Sequence, residues 1–217
     1  MTFPEMDKSK IAVDIFDKRA SLYQDKFMDV SLYHNSFDLF CVSIQKPTAS
    51  ILELACGPGN ITKYLLEKRP GFQIFGIDLA PNMIRFAAIN NPSAKFEVMN
   101  CRDIHTIEER YDGIMCGFCL PYLSKEEAIK LIGDAALLLN FGGILYLSTM
   151  EDDYSKSGFK TGSAGDEMYM HYHQADYLTA ALDKNEFKIL HLQRQDFPMQ
   201  DGTKMTDLLI IARKLKQ

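Results

Sequence analysis

The sequence predicts a doubly wound α/β fold: a mostly parallel sheet of seven strands with an antiparallel last strand, preceded by an N-terminal helical cap. Three observations predict it. Short apolar runs alternate with helical stretches between residues 51 and 149, and parallel neighbours need a crossover helix to bring the chain back. The closing runs FKILHLQRQD and MTDLLIIARK are joined by about 8 residues containing Pro198 and Gly202, too few for a crossover, so they pair as a hairpin. The first 46 residues carry Ile11, Ile15, Leu22, Phe27, Val30, Phe37 and Phe40 at mixed helical spacing before Pro47 closes the region.

Each element follows in order. Residues 1–46 form the cap, and residues 47–217 the α/β domain. Ile51 to Ala55 is the first strand, and the helix from Asn60 to about Glu67 stops at Pro70 and Gly71. QIFGID, Gln73 to Asp78, is the second strand, and Pro81 sits in the first turn of a helix running from Asn82 to Asn90. Lys95 to Asn100 and Tyr111 to Cys116 are the third and fourth strands, Ser124 to Leu139 a long helix, and Gly143 to Thr149 the fifth strand. Residues 151–172 form an insertion whose glycines at 158, 162 and 165 fit a mobile flap. A helix from about Gln174 to Lys184 then leads into the hairpin.

Composition excludes several function classes. With a net charge of −5 and no block of Lys or Arg, the chain lacks the electrostatic footprint that binding a phosphate backbone needs, so no nucleic-acid partner is expected. MTFPEMDKSK has no apolar signal core, and no segment offers about 18 uninterrupted apolar residues, so a cytoplasmic protein with no membrane partner is expected. The five cysteines are expected to be reduced. Cys116 and Cys119 form a CxxC without the second ligand pair that zinc wants, and they read as structural or pocket-lining; no metal is expected.

ILELACGPGN carries the chemistry. Gly57 and Gly59 let the backbone turn tightly and a ligand approach the main chain, while the helix opening near Asn60 points free N–H groups at the same place. Glu53 ends the strand and can accept hydrogen bonds. Asp78 ends the second strand, 19 positions after Gly59, where a carboxylate can bond both hydroxyls of a ribose. A pyrophosphate-binding loop wants Gly or Ala at position 62, and this chain has Thr62. The alternative is a plain αβ turn with Asp78 capping the next helix.

ELACGPG, with Asp78 and the antiparallel closing strand, resembles the class I S-adenosylmethionine-dependent methyltransferases, with Ala55 where the family has its first glycine. The resemblance covers roughly Ser50 to Lys214 and implies a Rossmann-like domain. It implies that Glu53, Ala55, Gly57 and Gly59 surround the methionine part of S-adenosylmethionine, that Asp78 binds the ribose, and that Leu79 and Met83 pack on adenine. Asp103 in NCRDI would accept the adenine amino group, with the Arg102 and Ile104 amides nearby. Gly117 and Phe118 would border the transferred methyl, and Tyr23 and Tyr33 would reach over the cofactor, although core packing explains those tyrosines equally well.

The cofactor's sulfonium makes its methyl electrophilic, so the protein's part is alignment, with a base only where the acceptor needs one. His171, Tyr172 and His173 in MYMHYH are candidates for that base; the other reading has one histidine capping the following helix and the other facing solvent. Met168, Met170, Phe118 and Tyr122 imply a partly apolar pocket. The expected function is methyl transfer to a small-molecule acceptor. The alternatives are a non-catalytic module that binds S-adenosylmethionine or S-adenosylhomocysteine, and an NAD-dependent oxidoreductase, which Thr62 and the hairpin oppose.

Overall fold

The computed structural model describes residues 8–162, 165–198 and 204–216, so Gly202 and the start of the expected cap lie outside the described residues. Its main sheet is built from β1 (Ser50–Leu54), β2 (Gln73–Asp78), β3 (Lys95–Val98), β4 (Tyr111–Cys116), β5 (Leu139–Glu151), β8 (Phe187–Pro198) and β9 (Lys204–Lys214). A separate two-stranded ribbon pairs β6 (Gly158–Thr161) with β7 (Glu167–Met170). The seven strands lie in the order β3-β2-β1-β4-β5-β9-β8. β1 to β5 run parallel, and β9 runs antiparallel to both β5 and β8. The strand order reverses between β1 and β4, and a crevice opens at the carboxyl ends of such strands.

The parallel strands read as apolar runs because both faces are covered. Leu52 and Leu54 of β1 enter a core shared with α6 (Lys125–Leu138) and α7 (Ala175–Lys184), while Ile51 enters a second core on the other face. α6 starts where the sequence says it should. Ser124 Oγ accepts the Glu127 N–H, and the Glu127 carboxylate accepts the Ser124 N–H at 2.7 Å, a reciprocal cap. On the second face, α4 (Asn60–Lys68) packs beside α3 (His34–Ser43), whose Phe37 and Phe40 touch the cluster of Ile51, Met115, Tyr146 and Ile211.

The N-terminal helices therefore divide. α3 shares its core with the sheet, whereas α1 (Lys8–Lys18) and α2 (Ala20–Phe27) lie over α5 (Pro81–Asn90), with Ala20, Phe16 and Tyr23 gathered on Ala80 and Met83. The insertion folds as the β6–β7 ribbon instead of an open loop, and Phe159 faces Tyr169 across it. The ribbon is tied to the helices. Arg19 pairs with Asp166, and Lys8 Nζ stands 4.2 Å from the centroid of the Tyr169 ring. Among the described residues, no helix is long and apolar enough to cross a membrane.

Candidate active site

The loop after β1 adopts left-handed backbone at alternate positions, with φ of 52° at Ala55, 54° at Gly57 and 77° at Gly59. Glycine takes this conformation without steric penalty, whereas an L-residue such as Ala55 stores about 1–2 kcal/mol there. Asp78 holds the loop from the next strand. Its Oδ2 accepts the Gly57 N–H at 2.9 Å, and its Oδ1 accepts the Ala80 N–H at 2.8 Å. Burial raises the Asp78 carboxyl above its ordinary range, against the pull of those backbone donors. The end of the loop is fixed by Asn91, a 4% exposed side chain that donates to Gly59 O at 2.9 Å and to Ala87 O at 3.3 Å.

Glu53 supports the same loop from beneath. It is 1% exposed, Oε2 accepts the Thr62 hydroxyl, and Oε1 meets no partner among the described residues. Burial pushes this carboxyl up to about 8, so at neutral pH it is protonated. Thr62 thus has a task beyond being neither Gly nor Ala: it joins the first turn of α4 to the end of β1. A carboxyl whose folded pKa is raised contributes stability that is complete below its unfolded value and is lost as pH rises through the folded one. Glu53→Gln removes that loss. Urea melts between pH 5 and pH 8 are expected to show the variant gaining on the wild type by about 1.4 kcal/mol per pH unit; a gap independent of pH would mean that Glu53 is ionised when folded.

Above the loop lies a cleft of two joined chambers. The smaller, about 140 Å³, runs between Asp78, Leu79 and Met83 on one side and Asn100, Cys101 and Arg102 on the other, with Ser9, Val13 and Phe16 of α1 as its roof. The larger, about 620 Å³, is lined by Tyr33, Phe37, Met150, Met168, Met205 and Asp207. Both include Tyr23, Ala55, Gly57, Gly117, Phe118 and Tyr122 in their walls, so the two chambers meet at the glycine loop and the segment after β4. Phe118 is held at that junction with φ 55° while its N–H donates to Ser148 Oγ at 2.9 Å. Tyr23 keeps its proton, since burial and then the Asp78 charge push its hydroxyl up to about 12.

The structure sorts the residues that the sequence singles out. Tyr23, Ala55, Gly57, Asp78, Leu79, Met83, Arg102, Gly117 and Phe118 reach the cleft. Glu53, Gly59 and Ile104 stand behind its walls, and Ile104 is fully buried in the main core. Asp103 is exposed and does not line the cleft; Asn100 takes that wall, its Oδ1 accepting the Arg102 N–H at 3.0 Å. The Arg102 guanidinium braces the wall through Glu127, at 2.6 Å, and Tyr122 O, at 3.1 Å. Cys101 and Cys119 bring their sulfurs to 3.4 Å, and the described cysteines are free thiols, with Cys116 fully buried.

The three flap candidates do not line the cleft. His173 is fully buried, its ring lying 2.7 Å from Leu120 O and 2.5 Å from the Tyr177 hydroxyl, and burial lowers it to about 4. His171 donates its backbone N–H to Pro121 O at 2.8 Å and meets the Tyr154 hydroxyl, while the Tyr172 N–H donates to Ser157 Oγ. His171 and His173 therefore brace Leu120 and Pro121 away from the cleft, while Met168, at the head of the same segment, lines the larger chamber. Asp207 is the acid that sequence reading passed over. Its only signal is a single carboxylate at the head of the apolar run LLII.

A family model described as a methyltransferase domain matches residues 51–143, which contain the glycine loop, Asp78, Asn100 and Phe118. Residues 51–143 are a methyltransferase domain. The chain is 31% identical over 139 residues to a malonyl-[acyl-carrier protein] O-methyltransferase of Anoxybacillus flavithermus, covering 63% of this chain and 51% of that protein. It is 25% identical over 144 residues to the tRNA N(3)-methylcytidine methyltransferase trm141 of Schizosaccharomyces pombe, covering 62% and 58%. The chain spans about half the length of such curated relatives. In fold it is similar to a Burkholderia thailandensis 1,6-didemethyltoxoflavin-N1-methyltransferase solved with 1,6-didemethyltoxoflavin and S-adenosylhomocysteine, at TM-score 0.72 and 19% identity over 100% of this chain and 94% of that one. S-adenosylmethionine is the cofactor of such methyltransferases, and the residues present fit it: a loop with no Cβ at Gly57, a carboxylate beside it, and an apolar slot at Leu79 and Met83.

Proposed function

We propose that this chain transfers a methyl group from S-adenosylmethionine to a small-molecule acceptor bound in the larger chamber. One observation carries the reading: the chamber bearing Asp78 opens, at Gly117 and Phe118, directly into a second chamber roofed by the N-terminal helices and the ribbon. Its volume of about 620 Å³ suits a small organic molecule. Asp78 would hold the ribose hydroxyls, Leu79 and Met83 the adenine faces, and Asn100 with the Arg102 backbone its polar edge. The Gly57 backbone would lie along the methionine portion, with Tyr23 over it. When bound, the cofactor supplies a methyl carbon made electrophilic by the sulfonium. Phe118 and Tyr33, whose rings stand 5.1 Å apart, would orient the acceptor in line with that carbon, and α1, α2 and the ribbon would exclude water.

A shared opening between the chambers favours catalysis over a module that only stores the cofactor. The roof and the net charge of −5 favour a small acceptor over a polynucleotide, although one relative is named for tRNA. The test is calorimetry with S-adenosylhomocysteine, then incubation with labelled S-adenosylmethionine and either a metabolite extract or bulk tRNA. One-to-one binding with label in small molecules is expected. Label only in tRNA would overturn the acceptor class, and stabilisation by NAD without S-adenosylhomocysteine binding would overturn the reaction.

A further inference from the structure

The larger chamber contains a buried acid for which the cofactor half of the cleft has no use. Asp207 lies on β9 between Met150 of β5 and Gln195 of β8. It is 1% exposed and lines the chamber. Oδ2 accepts the Tyr33 hydroxyl at 2.7 Å, but Oδ1, equally buried, meets no donor among the described residues. A buried carboxylate oxygen without a donor is unfavourable and uncommon, and a ligand that brings a hydrogen relieves it. The neighbouring walls, Phe37, Phe118, Met150, Met168 and Met205, are apolar.

On the methyltransferase reading above, we propose that Asp207 Oδ1 receives the O–H or N–H of the acceptor. The acceptor is then an apolar-bodied alcohol, phenol or amine, not a thiolate or halide. In the transfer, the acceptor's lone pair forms the new bond to the methyl carbon, the carbon–sulfur bond breaks with its electron pair going to sulfur, and the acceptor's proton passes to Oδ1. The sulfonium and the carboxylate, one positive and one negative, both end neutral. Tyr33 is a positioning residue that fixes the carboxylate through Oδ2.

The test uses protein saturated with S-adenosylhomocysteine and three matched probes: 4-ethylphenol, 4-ethylaniline and 4-ethylanisole, the last without a donor. Ligand-observed NMR is expected to find the phenol and the aniline bound about tenfold more tightly than the anisole. In Asp207→Asn, Tyr33 occupies the amide oxygen and the NH2 faces the chamber, so the preference should fall to within about twofold with S-adenosylhomocysteine affinity unchanged. Should that variant not fold, the wild type still decides. Its preference for the phenol over the anisole should fade as pH falls and Oδ1 takes a proton. The groups that face Asp207 are Tyr33 and, from β5, Tyr146; Arg19 with Asp166, Asp29 and Lys26 line the same chamber, and Arg194 of β8 is paired with Glu151. Burial raises the Asp207 carboxyl while the Tyr33 bond opposes it. Equal affinity for all three probes, no probe binding at all, or a preference that survives in Asp207→Asn overturns the proposal. Failure to bind S-adenosylhomocysteine overturns the methyltransferase reading instead.

Discussion

Asp78→Asn is expected to weaken S-adenosylhomocysteine binding about a hundredfold, roughly 2.7 kcal/mol, in calorimetry at neutral pH. The carboxylate accepts from Gly57 N–H through one oxygen and from Ala80 N–H through the other. An amide has only one accepting oxygen, so one of these backbone donors would face an NH2 group. The glycine loop then loses its anchor, and a ribose loses one of its acceptors. Each hydrogen bond to a charged partner contributes about 1.5–3 kcal/mol, so the loss of one to two of them gives the stated factor. Burial raises this carboxyl, so wild-type affinity should decline on acidification sooner than an ordinary aspartate would make it. Asp78→Asn should stay flat over the same range. A variant that binds within threefold of the wild type would show that the loop holds its shape without the carboxylate and that the ribose lies elsewhere.

The sheet was legible because parallel strands are covered on both faces, so Ile51, Leu52 and Leu54 read as an apolar run that only Glu53 interrupts. Helix starts were legible where Pro81 and the Ser124–Glu127 pair mark them. The β6–β7 ribbon was not: its strands hold four residues each, and the nearby glycines dominate the pattern. In the site, the loop and Asp78 were legible because they sit at strand ends, which periodicity locates. Asp103 lies off the cleft wall because of where the third strand stops. β3 ends at Val98, so Asn100 falls on the cleft wall, and the short helix Cys101–Thr106 turns Asp103 out to solvent. The histidines have the chemistry of a base, but β5 runs on to Glu151 and bridges His173, drawing His173 behind Leu120. The lone carboxylate ahead of LLII does not tell where Asp207 lies, because the β5–β9 pairing carries it to the larger chamber.

Gly59→Ala is expected to destabilise the fold by about 2–5 kcal/mol and to lower Tm by about 10 °C in thermal melts. Two effects combine. At φ 77° a residue with a side chain stores about 1–2 kcal/mol. The new Cβ would also lie 2.3 Å from Asn91 Nδ2 and 3.2 Å from Ala87 Cα. Ala87 belongs to the α5 backbone and cannot retreat cheaply, so Asn91 must swing away and give up its bonds to Gly59 O and Ala87 O. A buried amide left without partners costs about 1–3 kcal/mol. The two contributions separate in a double-mutant cycle, because residues in contact are not additive. With Asn91→Ala already in place, Gly59→Ala should cost only the backbone share, about 1–2 kcal/mol. An identical cost in both backgrounds would place the whole penalty in the backbone and remove Asn91 from the account of how the loop is held.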